Sequence, residues 1–253
     1  MALKVHQFPC LNDNYGFLIR DEASGRTGCV DTPDAEAILA ELKRLGWGLD
    51  LILNTHWHPD HAGGNERLKA ETGCSIVGPK EVTRIAPLDR PVGDGDVVEL
   101  GETRFEVLDT GGHTLGHITY HDRADHIAFV GDTLFALGCG RVFEGTAEQM
   151  WTSLSRLAAL PDETLVYCAH EYTAANARFA LSVDDSPALK ARAAEVFAAR
   201  ERGEPTVPTR VGLEKASNPF LRAPVLQDAV GLHGASDAEA FAAVRRAKDV
   251  FKG

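Results

Sequence analysis

The chain has 253 residues, 26 of them basic and 37 acidic, a formal net charge of −11, and 44% are apolar. That apolar fraction excludes a disordered or collagen-like chain. A chain this long buries roughly 70–75% of its unfolded surface, enough for one large core or a core plus a small second domain. The acidic balance argues against non-specific binding to nucleic acid or an anionic membrane, since both reward positive charge.

Strand-like runs bounded by Gly, Asp, Pro or Asn fill the first two-thirds of the chain: Lys4–Phe8, Tyr15–Arg20, Thr27–Val30, Leu49–Asn54, Ser75–Val77, Val97–Leu100, Arg104–Leu108, Ile118–His121, Ile127–Val130 and Leu165–Cys168. Between them a helix is expected with Thr32 as N-cap, Pro33 at its first position, an apolar face of Ile38, Leu39, Leu42 and Leu45, and Gly46 as the stop. Helices are also expected near Asn65–Thr72 and Ala147–Leu160. After about Tyr172 the chain becomes rich in Ala, Arg and Glu. Ser186-Pro187 opens a helix with Leu189, Ala193, Val196 and Phe197 on one face, Glu204-Pro-Thr-Val-Pro208 reads as an irregular linker, and Ser236-Asp-Ala-Glu239 is a capping box for a last helix through Phe251. The pattern predicts a β-rich domain over residues 1–172, an α/β or α+β sandwich of layers, and a small all-helical domain over 173–253. No run reaches 18 apolar residues, and Met1-Ala-Leu-Lys-Val-His-Gln-Phe8 has no basic stretch leading into an apolar one, so neither a span nor secretion is signalled. Cys10, Cys29, Cys74, Cys139 and Cys168 are scattered, which favours free thiols in a reducing cytoplasm.

Leu51-Ile-Leu-Asn-Thr-His56-Trp-His58-Pro-Asp60-His61 carries the chemistry. An apolar strand ends and four potential metal ligands follow within six residues. His56 and His58 can point together from an extended loop, Asp60 and His61 turn toward a second position, and Pro59 stiffens the segment. Two metals are therefore expected rather than one. Further donors stand where other apolar strands emerge: His113 in Gly111-Gly-His-Thr, Asp132 in Val130-Gly-Asp-Thr, and His170 after Val166-Tyr-Cys-Ala169. Together they make the imidazole and carboxylate set that zinc or a similar ion requires. His6, His117, His121, His126 and His233 read as structural or surface groups, with a partner role to a ligating imidazole as the less favoured alternative for His117.

Thr55-His-Trp-His-Pro-Asp-His-Ala-Gly-Gly64, with His113, Asp132 and His170, resembles the metallo-β-lactamase superfamily. Gly131-Asp-Thr-Leu-Phe-Ala-Leu-Gly-Cys-Gly-Arg141, Ala169-His-Glu-Tyr-Thr173, Asn218-Pro-Phe220 and Arg245-Arg-Ala-Lys-Asp249 resemble the glyoxalase II, or hydroxyacylglutathione hydrolase, family within it, and the likeness runs from Leu11-Asn-Asp-Asn-Tyr15 to the last helix. The resemblance implies an αβ/βα four-layer sandwich with a small helical C-terminal domain. It implies two divalent ions, zinc first with iron or manganese as alternatives: His56, His58 and His113 hold one, Asp60, His61 and His170 the other, and Asp132 bridges both. It implies hydrolysis of S-(2-hydroxyacyl)glutathione, such as S-D-lactoylglutathione, by a metal-bridging hydroxide. Asp60 and Asp132 are then catalytic, and Arg141, Phe143, Tyr172, Arg245 and Lys248 bind the glutathione moiety.

Arg141 stands where the family often has Lys, and Phe143 where it often has Tyr. The missing hydroxyl predicts weaker substrate binding. The expected partner is a small glutathione thioester, with no nucleic acid and no membrane, acting on a cytoplasmic monomer. Asp132 disfavours a β-lactamase, which typically has Cys there, and the acidic surface disfavours an RNA-processing nuclease. A lactonase or general thioesterase is the nearest rival, followed by a mononuclear-iron persulfide dioxygenase. A non-catalytic metal-binding scaffold is disfavoured by the intact ligand set.

Overall fold

The computed structural model describes residues 3–253; Met1 and Ala2, the start of the segment read for a leader, lie outside the described residues. Two compact units emerge. The first runs through Asp109 and resumes at Gly116–Gly131; the second comprises Thr110–Leu115 and Asp132–Gly253.

The first unit opens with β1 (Leu3–Cys10), β2 (Asn14–Asp21) and β3 (Thr27–Val30), then α1 (Ala35–Leu45), β4 (Leu51–Leu53), α2 (Pro59–Ala62), α3 (Asn65–Thr72), β5 (Ser75–Gly78) and β6 (Arg90–Pro91). Its first sheet has the order β1-β2-β3-β4-β5-β6. The hairpin members pair antiparallel, while β3, β4, β5 and β6 run parallel. An antiparallel meander follows: β7 (Val97–Leu100), β8 (Thr103–Asp109), β9 (Ile118–Asp122) and β10 (Ile127–Gly131). Phe17 of β2 meets Phe129 of β10 at 5.7 Å between ring centroids, and Phe105 meets Phe129 at 6.3 Å, so the aromatic core joins the two sets of strands. Ile38, Leu42 and Leu68 on α1 and α3 pack with Leu18, Cys29, Ile52 and Ile76 of the first sheet.

α1 starts later than expected. Asp34, not Thr32, is the N-cap, and its carboxylate accepts from the backbone N–H groups of Glu36 and Ala37 at 3.0 and 3.1 Å. The Thr32 hydroxyl is engaged elsewhere, donating to Asn65 Oδ1 at 2.7 Å. β4 is shorter than the run Leu49–Asn54 because Asn54 has already turned: its amide donates to the His61 carbonyl at 2.9 Å.

The second unit holds the hairpin β11 (Leu134–Phe135) and β12 (Gly138–Cys139), α4 (Ala147–Ala158), β13 (Leu165–Cys168), α5 (Thr173–Val183), α6 (Pro187–Glu201), β14 (Thr209–Arg210), α7 (Val211–Ser217) and α8 (Asp237–Val250). The C-terminal part is helical apart from β14, which pairs antiparallel with β13. Ser186 caps α6, and the Ser236–Glu239 capping box forms as expected. The residues of the irregular linker are tethered where Thr206 donates through its N–H and hydroxyl to Glu171, at 2.8 and 2.6 Å. All five cysteines are free and buried. Among the described residues no helix is long and apolar enough to cross a membrane.

Removing the Asp34 carboxylate leaves two N–H groups of the first turn of α1 without their acceptor. Asp34→Ala is expected to lower stability by about 1 kcal/mol in a urea melt, while activity per folded molecule stays at the wild-type level.

Candidate functional site

In the first unit, the loop leaving β4 carries four donors. His56 and His61 are fully buried, and Asp60 and His58 are half-buried. His56 and His61 are each oriented through one of their nitrogens. His56 Nδ1 lies 3.0 Å from Thr55 Oγ1, whose hydroxyl donates to Asp31 Oδ2 at 2.8 Å, so the relay leaves Nε2 of His56 as its ligating atom. His61 Nδ1 donates to Asp31 Oδ2 at 2.8 Å and likewise presents Nε2. His56 Nε2 stands 3.0 Å from His58 Nδ1, and His61 Nε2 stands 3.6 Å from Asp60 Oδ2. Two ligands on one tetrahedral ion with bonds of about 2.0–2.1 Å are separated by about 3.3 Å, so both pairs have the spacing of donors aimed at a common ion. Asn14 at the start of β2 holds Asp60 by donating to its Oδ2 at 3.1 Å. The buried His117 ring stacks on His56 with centroids 4.8 Å apart.

The second unit repeats the pattern around Asp132. His113 Nε2 lies 3.4 Å from Asp132 Oδ2, and His170 Nε2 lies 3.3 Å from Asp132 Oδ1. One carboxylate thus turns each oxygen to a different imidazole, as a ligand shared by two ions does. His113 Nδ1 donates to the Arg141 carbonyl at 2.8 Å, again leaving Nε2 as the ligating atom. The His170 ring lies flat on Tyr172, centroids 4.7 Å apart and planes 2° from parallel. Both sets fit a divalent ion by donor chemistry and spacing: imidazoles and carboxylates, with His56, His61 and His113 each held through Nδ1 by a further hydrogen bond.

Beside Asp132 opens a cavity of about 450 Å³, within the range of small-molecule sites. All five residues expected to bind substrate line it: Arg141, Phe143, Tyr172, Arg245 and Lys248. Their states differ. Arg141 and Phe143 are exposed, the latter 60%, with its ring 5.2 Å from His113. Arg245 is buried and ties itself to the protein, donating to the Cys139 carbonyl at 3.1 Å and to Asp249 at 2.8 Å. Lys248 donates to the Ala175 carbonyl at 3.1 Å. Burial, reinforced by the charges of Arg245, Arg178 and Arg141, lowers the Lys248 ammonium from its ordinary value to about 8, against the opposing effect of Asp249.

Two residues of the site were not singled out by sequence: Asp31, which orients His61 and the Thr55–His56 pair, and Asn14. Asp31 directly follows β3, the same strand-end position that marks Asp132, and its φ of 55° is a further sign of a constrained role. Asp31→Asn keeps the shape and tolerates that backbone angle but removes the charge facing His61. Metal affinity, read by competition with a chromogenic chelator, is expected to fall roughly 10–100-fold.

A model of the metallo-beta-lactamase superfamily matches residues 27–170, and a model described as the hydroxyacylglutathione hydrolase C-terminus matches residues 171–251. The hydroxyacylglutathione hydrolase of Maricaulis maris is 57% identical, covering 98% of this chain and 99% of its own. That of Erythrobacter litoralis is 54% identical over 98% of this chain and all of its own. Among solved structures, ETHE1 from Myxococcus xanthus superposes with a TM-score of 0.70 at 29% identity, covering 97% of this chain and 90% of that one. The fold is the expected αβ/βα sandwich with a helical C-terminal region, and its His/Asp clusters are those of a divalent metal site. By its two matched models and its full-length relatives, the chain belongs to the hydroxyacylglutathione hydrolases of the metallo-β-lactamase superfamily.

Proposed function

We propose that this chain hydrolyses S-(2-hydroxyacyl)glutathione, with S-D-lactoylglutathione as the reference substrate, to glutathione and a 2-hydroxy acid, the second step of methylglyoxal detoxification. Full-length likeness to hydroxyacylglutathione hydrolases supports the reaction. The observation that carries the mechanism is the Asp132 carboxylate facing His113 and His170 with separate oxygens. We assign His56, His58 and His113 to one divalent ion, Asp60, His61 and His170 to a second, and Asp132 to both. The donors, all nitrogen and oxygen, accommodate zinc, iron or manganese; we take zinc first, and availability decides. Residues 1–172 then form the catalytic domain and 173–253 the helical substrate-binding domain.

Such ions, when bound, acidify water to near neutrality and polarise a carbonyl. The protein's own groups do the rest. Asp60, held at Oδ2 by Asn14, orients the attacking water and accepts its proton. The departing thiol has an ordinary pKa of about 8.5, so it leaves as thiolate and the chain needs no strong acid beside it. Arg141, Arg245 and Lys248 supply positive charge for the glycine carboxylate of glutathione, and Tyr172 a hydroxyl. Phe143 offers only its ring, which weakens binding without touching the chemistry. Five free thiols suit a reducing compartment, and we place the enzyme in the cytoplasm as a monomer whose partner is this small substrate alone.

Purified, metal-analysed protein is expected to hydrolyse S-D-lactoylglutathione, with glutathione competing. Two bound ions and no turnover would overturn the assignment, and turnover indifferent to glutathione would favour a general thioesterase or lactonase. A second test follows from Lys248. It is cationic below about pH 8 and loses its charge above, so kcat/KM for the anionic substrate should fall through that value. Lys248→Arg should shift this alkaline limb upward; a limb that does not move would remove Lys248 from substrate binding.

A further inference from the structure

The hairpin β11–β12 has only two residues in each strand, too little for a two-stranded pair to persist by itself. Yet it carries Phe135 and Cys139 into the cavity and leads directly to Gly140 and Arg141. Beyond its own pairing, its backbone takes several hydrogen bonds from side chains of the helices. Asn218, fully buried at the C-terminal end of α7, donates through its amide to the Phe135 carbonyl at 3.1 Å and the Gly138 carbonyl at 2.9 Å. The Ala136 carbonyl accepts from Asn176 of α5 at 3.1 Å. The Leu137 N–H donates to Glu214 Oε2 of α7 at 2.9 Å, and the Asn218 amide donates to that same oxygen, also at 2.9 Å. Glu214 is in turn paired with the buried Arg192.

Two features show how much the helices impose. Leu137 sits at φ 56°, a left-handed conformation costly for a bulky side chain, while that side chain is fully buried among Ala177, Ala180, Leu189 and Ala193 of α5 and α6. Gly138 and Gly140 lie where side chains do not fit: a Cβ on Gly138 would stand 2.3 Å from Asn176 Nδ2, and one on Gly140 1.9 Å from the Asp132 carbonyl oxygen. The hairpin is thus pressed between the helical cradle and the backbone of Asp132.

We infer that Asn218 and Glu214 are positioning residues: by fixing the backbone of β11–β12 they set where Arg141 and Phe135 meet the substrate, and so govern affinity for the glutathione half rather than the chemical step. This gives a task to Asn218-Pro-Phe220, a segment that supplies no candidate metal ligand and does not itself line the cavity. The inference rests on the glutathione reading above.

The test compares wild type and Asn218→Ala, both metal-loaded, by steady-state hydrolysis of S-D-lactoylglutathione and by calorimetric titration with glutathione. The expected result is a rise of about five- to twentyfold in both KM and the glutathione Kd, with kcat within about twofold and metal content unchanged. If Asn218→Ala is not recovered folded, Glu214→Gln carries the test; it keeps an acceptor for Leu137 but removes the charge, and a shift of about threefold in the same direction is expected. A folded variant with a lower melting point but unchanged KM and Kd would mean a structural role only and overturn the inference. A fall in kcat at constant KM would overturn it too. Wild-type protein that does not bind glutathione would instead sink the reading on which it rests, so the two failures are told apart.

Discussion

A carboxylate buried between two imidazoles, Asp132 with His113 and His170, is the constraint to which the second unit answers. Taking an ionised carboxylate out of water costs several kcal/mol unless opposite charge replaces the lost hydration. The imidazoles of His113 and His170 face its two oxygens, and a divalent cation held among such donors would supply the compensating charge. The surrounding chain is organised to keep this arrangement open to such ions. The Arg141 carbonyl takes the Nδ1 proton of His113, and Tyr172 and Phe135 pack the His170 ring on its face and edge. Gly140 has no side chain because the Asp132 carbonyl passes too close for one.

The first unit solves the same problem with a different residue. Asp31 accepts from the Thr55 N–H, the Thr55 hydroxyl and His61 Nδ1, all at 2.8 Å. One buried carboxylate thereby sets the tautomers of two candidate ligands, His61 directly and His56 through the hydroxyl. Its own charge is spread over three hydrogen bonds, which is what allows it to remain buried.

Much of this was legible in the sequence, for identifiable reasons. Strands such as Thr27–Val30, Val97–Leu100 and Leu165–Cys168 were found at their observed bounds because apolar runs end at sharp punctuation. The candidate ligands were legible because His and Asp at strand ends are chemically conspicuous. What escaped was set by tertiary context. The start of α1 moved from Thr32 to Asp34 because a distant Asn65 claims the threonine hydroxyl, and no local pattern reveals that contact. The two-residue strands β6, β11, β12 and β14 carry no periodicity to detect. Asp31 has its partner His61 30 positions away in sequence, a contact no local pattern reveals.

The cavity beside Asp132 reverses the sign of the chain as a whole. A net charge of −11 describes the solvated surface, whereas Arg141, Arg245 and Lys248 line one small space. Crowding cations in this way is unfavourable, and it adds to burial, the larger cause, in lowering the pKa of Lys248. The structure relieves part of the cost internally, since Asp249 takes up one edge of the Arg245 guanidinium. The remainder is relieved only by an anion in the cavity. A pocket that is electrostatically uncomfortable when empty is one that favours a small carboxylate-bearing ligand, and the acidic exterior repels the large polyanions that would otherwise compete for it.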